Sequence, residues 1–184
     1  MALAFTEKIE LGYIAPDFKL VEPLSGKVRT LNEFTQGKGT VVMFICNHCP
    51  YVKHINSELV KLANDYIPKG ISFIAINPND AAKYPDDSPE KMIETVKENN
   101  YPFSYLYDET QEVAKAYNAV CTPDFSIFNH ELKCVYRGQL DDSRPGNSIP
   151  LSGKDIRKAL DSIIEDKAMD SNQIPSSGCS IKWK

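Results

Sequence analysis

Two cysteines, Cys46 and Cys49, stand two residues apart where an apolar run, Val41-Val42-Met43-Phe44-Ile45, gives way to a helical pattern. Thiols at that spacing suit two-electron exchange: one attacks a disulfide as the thiolate, and the other resolves the mixed disulfide. A helix N-terminus favours a thiolate through its unpaired N–H groups and the positive end of its dipole. Cys46, nearer the end of the apolar run and more exposed to the helix dipole, is expected to be the nucleophile, and Cys49, deeper in the first turn, the resolving thiol. This chemistry needs two sulfurs close enough to bond and one that meets solvent. Metal binding is the weaker alternative, because the pair supplies two of the four ligands that a structural zinc normally takes.

The elements that must hold the pair are legible on either side. Thr40 to Ile45 has no polar interruption, as in a strand covered on both faces. Val52, Ile55, Leu59, Leu62 and Tyr66 recur at helical spacing up to Pro68-Lys69-Gly70, with Pro50 in the first turn. A second strand follows over 71–76. Ser88 as N-cap and Pro89 at the first helical position open another helix that stops near Asn99-Asn100. A short strand is expected over 103–107 and a short helix over 110–117. Residues 125–128 and 133–137 flank a hairpin turn at Asn129-His130-Glu131-Leu132, and a last helix is expected to open at Ser152 with Asp155 as capping-box partner. The order β-α-β-α-(β-α)-β-β-α predicts an α/β fold, a mixed sheet flanked by helices. The chain divides into residues 1–39, an extension with a hairpin around Leu24-Ser25-Gly26, a core over 40–168, and an irregular tail over 169–184, all within one domain.

Composition narrows the function. A net charge of −4 with scattered Lys and Arg offers no footprint for nucleic acid or an anionic membrane. No run approaches the ~18 apolar residues of a membrane span, and the first eight residues lack the pattern of a secretory leader, so a cytoplasmic address is expected. Five cysteines, an odd number, argue against a disulfide scaffold and for reactive or buried thiols.

Three stretches in order carry a more specific signal: Gly12-Tyr13-Ile14-Ala15-Pro16-Asp17-Phe18 with Leu20, the apolar run into Cys46-Asn47-His48-Cys49, and Val120-Cys121-Thr122-Pro123 ahead of a strand. Over residues 12 to 167 the chain resembles the thioredoxin-like superfamily in its redoxin branch, of alkyl hydroperoxide reductase/thiol-specific antioxidant type. The resemblance implies a thiol-disulfide oxidoreductase without a cofactor. It implies a cis bond at Pro123 that faces the cysteines, with Thr122 and Pro123 receiving a substrate strand. Protein or small-molecule disulfides and thiols, and a redox partner, are the implied partners.

The departures matter as much. Asn47-His48 replaces the Gly-Pro of thioredoxin, and Ile45 its tryptophan. A histidine before the second cysteine resembles strongly oxidising members and would favour the thiolate of Cys46, so a potential above thioredoxin's (about −270 mV) is expected. Peroxiredoxins carry Pro-x-x-x-Thr/Ser-x-x-Cys, whereas Gly39 and Met43 hold those places here, which weakens a thiol peroxidase or antioxidant role. A copper-handling protein on the same fold is a further alternative, with Cys49-Pro50 and a distant His130, although its cysteine spacing is one residue short. Cys121 and Cys179 are candidate auxiliary thiols, the latter in a tail that could fold back over the pair. Cys134 reads as inert core. Arg137, with Asp141, Asp142 and Arg144, forms a polar cluster that could tune the thiols. No buried acid is apparent within Thr40–Ile45.

Overall fold

The apolar run that ends at the cysteines is the centre of the molecule. The computed structural model describes residues 3–184. Met1 and Ala2, where the segment read for a leader begins, lie outside the described residues. In chain order the elements are β1 (Leu3–Phe5), β2 (Lys19–Glu22), β3 (Lys27–Thr30), β4 (Gly39–Phe44), α1 (Pro50–Tyr66), β5 (Ile71–Asn77), α2 (Pro89–Asn99), β6 (Ser104–Tyr107), α3 (Glu112–Ala116), β7 (Cys121–Thr122), β8 (Asp124–Asn129), β9 (Cys134–Gly138), α4 (Lys154–Ile164) and β10 (Ser177–Ser180). Seven strands form one mixed sheet in the order β3-β2-β6-β5-β4-β8-β9, and β1-β10-β7 form a second, smaller sheet.

Both faces of β4 are covered, and successive side chains alternate between them. Val41, Met43 and Ile45 pack with Val52, Ile55, Leu59 and Leu62 of α1, Met92 of α2, and Ile156 and Leu160 of α4. Val42 and Phe44 face the opposite core with Leu31, Phe34, Ala114 and Tyr117. Leu59 is 1% exposed, so its truncation to Ala would cost about 2–5 kcal/mol. Arg157 of α4 ties the helices on the first face together by pairing with Glu58 at 2.8 Å and Asp65 at 2.7 Å.

Three sequence expectations change. The hairpin β2–β3 adds to the sheet edge through Val21 opposite Tyr107, so residues 1–39 contribute to the main sheet. The tail, expected to be irregular, contains β10. The last helix begins at Lys154 with Gly153 as its N-cap in the left-handed region (φ 64°). Ser152 does not cap it, because Asp141 has gathered the backbone N–H groups of Ser143, Ser152 and Gly153 at 2.6–2.8 Å. The Ser88 cap of α2 is present, with Ser88 Oγ accepting from Lys91 N.

Candidate active site

Pro50 decides where α1 begins. A residue before proline is driven out of the helical region, and Cys49 is extended (φ −66°, ψ 123°). The helix therefore starts at Pro50, and Cys49 becomes its N-cap. Cys46 lies three residues further out, in the link from β4. The helix terminus thus favours Cys49 rather than Cys46, which corrects the sequence expectation about which sulfur feels the dipole.

Across from the pair lies Thr122, whose bond to Pro123 is cis. Cys46 Sγ is 3.2 Å from Thr122 Oγ1, and the Cys49 thiol donates to the Thr122 carbonyl at 3.3 Å. Neighbouring strand residues face opposite ways. Cys121 accordingly points from the pair to Thr6 Oγ1 at 3.9 Å, and burial pushes its thiol up to about 12. Cys134 sits in the second core with its thiol pushed up to about 11, again by burial.

The surroundings push the two active-site thiols in opposite directions. The Cys49 thiol donates to the Thr122 carbonyl at 3.3 Å, and the Cys179 sulfur lies 2.9 Å from that of Cys49. The polar groups around Cys49, Cys46 first and then Cys179 and the backbone N–H groups of Val52 and Cys179, outweigh the cost of burial and hold it well below the ordinary thiol range. Cys46 moves the other way, raised by the neighbouring Cys49, by burial, and by the nearby charge of Asp87.

Asp87 is the buried acid that no inspection of residues 40–45 could find. It arrives from the loop before α2, and it is fully buried. Its carboxylate accepts from Asn47 N at 2.7 Å and Asn79 Nδ2 at 2.8 Å, and pairs with His48 Nδ1 at 2.6 Å. Burial pushes Asp87 up, but His48 and the other donors together hold it below the usual carboxylate range. In return the bond to Asp87 raises His48, which is stacked on Tyr84 at 5.6 Å. Tyr105 Oη donates to Asn47 Oδ1 at 2.9 Å and fixes the remaining loop residue. The signal missed in the sequence was a pair of aspartates following an apolar strand, since ligand sites of α/β sheets gather at strand carboxyl ends. One donor atom each from Cys46, His48 and Asp87 lie within 4.8 Å of one another and could hold a metal ion, although His48 and Asp87 already satisfy each other.

Neither sulfur meets solvent. Cys46 is 1% exposed and Cys49 0%, where one exposed sulfur was expected. Over Cys49 the tail is part of the cover: β10 pairs with β7, Cys179 opposite Thr122, and brings Cys179 Sγ to 2.9 Å from Cys49 Sγ.

The other candidates fall elsewhere. Arg137 pairs with Asp124 at 3.3 Å and directs its other side-chain donors at the Glu7, Tyr117 and Asn118 carbonyls and Ser126 Oγ. It joins the end of α3 to β8, and the thiols its charge acts on are Cys121 and Cys134. Asp142 pairs with the exposed Lys154, and Arg144 reaches Ser177 Oγ at 2.7 Å, the start of β10. His130 lies in the turn after β8, where β4 residue Gly39 faces Asn129 while Phe44 faces Asp124. It is therefore at the opposite end of β4 from Cys46, too far to share a copper ion with the pair.

A mixed sheet flanked by helices, a helix opened by a cysteine pair, and a cis proline facing it define a thioredoxin-like α/β fold. The AhpC/TSA family model matches residues 11–137, and the chain belongs to that family. The match ends before α4 and the tail. The chain is similar to an uncharacterized conserved protein from Geobacillus kaustophilus, with 59% identity and a TM-score of 0.98 over 100% of this chain and 97% of the other. It is similar to a hypothetical protein from Sinorhizobium meliloti at 43% identity and a TM-score of 0.96, covering 98% of each chain. The thioredoxin domain of a thiol-disulfide oxidoreductase from Bacteroides vulgatus shares the fold at 21% identity and a TM-score of 0.60, covering 74% of this chain and 91% of that one. No curated protein matches the chain.

Proposed function

We propose that this chain is a thiol-disulfide oxidoreductase that cycles Cys46 and Cys49 between dithiol and disulfide. The observation that carries the proposal is geometric: the pair stands at the start of α1 facing the cis Thr122–Pro123 bond, with Cys46 Sγ 3.2 Å from Thr122 Oγ1 and the Cys49 thiol donating to the Thr122 carbonyl at 3.3 Å. As Cys46 attacks one sulfur of a substrate disulfide, its proton passes to Cys49 and one substrate thiolate leaves. That thiolate, or solvent, takes the proton back from Cys49, which then attacks Cys46 Sγ and expels the second substrate thiolate. Two electrons pass from the pair to the substrate, one S–S bond breaks and one forms, and the cysteines need no prosthetic group. Running backwards, the same steps oxidise a dithiol.

Protein or small-molecule disulfides are the substrates, with Thr122 and Pro123 as the docking edge once β10 yields it. Cytoplasm suits such a site, because thiols there are kept reduced; among the described residues no helix is long and apolar enough to cross a membrane. A peroxidase role has less support, since Met43 and Gly39 lie buried in β4 and offer no hydroxyl to align peroxide.

Trapping tests the roles. With a model disulfide, Cys49→Ser should accumulate a mixed disulfide on Cys46, whereas Cys46→Ser should not accumulate one on Cys49. The reverse pattern would exchange the two roles, and the absence of any adduct in either variant, with insulin reduction unaffected, would overturn the activity.

A further inference from the structure

The tail is bound too specifically to be a loose cover. β10 is the middle strand of β1-β10-β7, with Leu3 opposite Cys179 on one side and Thr122 opposite Cys179 on the other. Ser176 Oγ donates to the Pro123 carbonyl at 2.7 Å, Ile181 N to the Val120 carbonyl at 3.0 Å, and Arg144 Nε to Ser177 Oγ at 2.7 Å. Further along, Lys182 N donates to Asn79 Oδ1, and Ile181 is buried in the second core. Gly178 fits because it has no side chain: a Cβ there would lie 2.1 Å from the Thr122 carbonyl oxygen.

Two independent features meet at Cys179. A strand seated on a short sheet edge beside the cysteines occupies the position in which an added strand would be read by its backbone. Strand alternation also turns its cysteine inward, so that Cys179 Sγ is 2.9 Å from Cys49 Sγ. An incoming strand with a cysteine in that register would be a substrate poised for exchange.

We propose that Cys179 is a third redox thiol of this site, which exchanges with the Cys46–Cys49 disulfide by attacking the sulfur of Cys49. The bond between Cys46 and Cys49 breaks and a bond between Cys49 and Cys179 forms. Cys46 leaves with the electron pair of the broken bond and takes up the proton that Cys179 gives up. Oxidation level is unchanged, so no outside oxidant is consumed. The disulfide moves inward to the tail and Cys46 is released as a thiol. The inference rests on the redox activity of the Cys46/Cys49 pair and adds an internal partner to it.

Disulfide mapping of the full chain decides the matter. Trypsin leaves Cys46 and Cys49 together in peptide 39–53 and Cys179 in peptide 168–182. The protein is oxidised with diamide, unfolded and alkylated in acid, then digested without reductant. A cross-link between these two peptides is expected in a measurable share of the wild type, and in most of the molecules of Cys46→Ser and of Cys46→Ala. Oxidised protein that holds only the internal disulfide of peptide 39–53, with Cys46→Ser and Cys46→Ala free of the cross-link, would overturn the proposal. Cys179→Ser separates the two claims: it should still close Cys46–Cys49, and its failure to do so would count against the pair itself.

Discussion

Gly178 is the place to loosen the covering strand without touching a sulfur. In Gly178→Ala the new Cβ would lie 2.1 Å from the Thr122 carbonyl oxygen and 2.6 Å from its carbon, both backbone atoms that cannot rotate away. Strand β10 must shift or detach. Overpacking of this kind costs roughly 1–3 kcal/mol. If that cost falls on the docked state of the strand, the open state gains population by about fivefold to 150-fold, since about 1.4 kcal/mol is a factor of ten. Labelling of a buried group follows the open population when opening and closing outrun the reagent. Alkylation of Cys46 and Cys49 by iodoacetamide under native conditions, read by mass on peptide 39–53, should therefore accelerate within that range. Cys134, buried in the other core, serves as the reporter of global unfolding. An unchanged rate at the pair, or an acceleration no larger than that at Cys134, would refute the assignment of β10 as the cover.

Other consequences follow from the same geometry. Asp87→Asn removes the charge from a fully buried carboxylate that holds three partners, which should destabilise the protein by about 3 kcal/mol in urea titrations. Because His48 is raised, its share of that stability is complete below the ordinary histidine value of 6.5 and fades as pH rises through its folded value. Because Asp87 is lowered, its share is complete above 3.8 and fades as pH falls; the gap between wild type and variant should be widest between these limits. Pro50→Ala lifts the restriction on Cys49 and lets the helix extend toward it, so the Cys49 thiolate should titrate at higher pH, as followed by thiolate ultraviolet absorbance. Cys121→Ser and Cys134→Ser should leave insulin reduction unchanged, since neither thiol touches the pair and both are raised by burial.

Regular periodicity made most of the fold legible. The apolar run before Cys46, the helical repeat from Val52 to Tyr66 and the Ser88-Pro89 start all became the expected elements, because burial stamps a period on the sequence. The tail left no such mark. Ser177-Gly178-Cys179-Ser180 is held by backbone bonds and small side chains, and a strand that docks in that way needs no apolar alternation. The cysteine pair and Thr122-Pro123 were visible as motifs, but Asp87 was not, because it reaches Asn47 and His48 from some 40 positions away. The assignment of the helix terminus to Cys46 overlooked a local rule present in the sequence: Pro50 excludes Cys49 from the helix and so makes it the cap. Of the polar cluster read after the hairpin, Asp142 and Arg144 stay joined through Gln139, while Arg137 turns away to Asp124.

The most direct test of a Cys46/Cys49 redox pair is its reduction potential, measured by equilibrating the protein with glutathione buffers and counting thiols after acid quench. A single reversible two-electron transition between about −270 and about −120 mV is expected, present in Cys121→Ser and Cys134→Ser alike. Sulfurs that stay reduced in the most oxidising buffer, in the wild type and in Gly178→Ala, would contradict it.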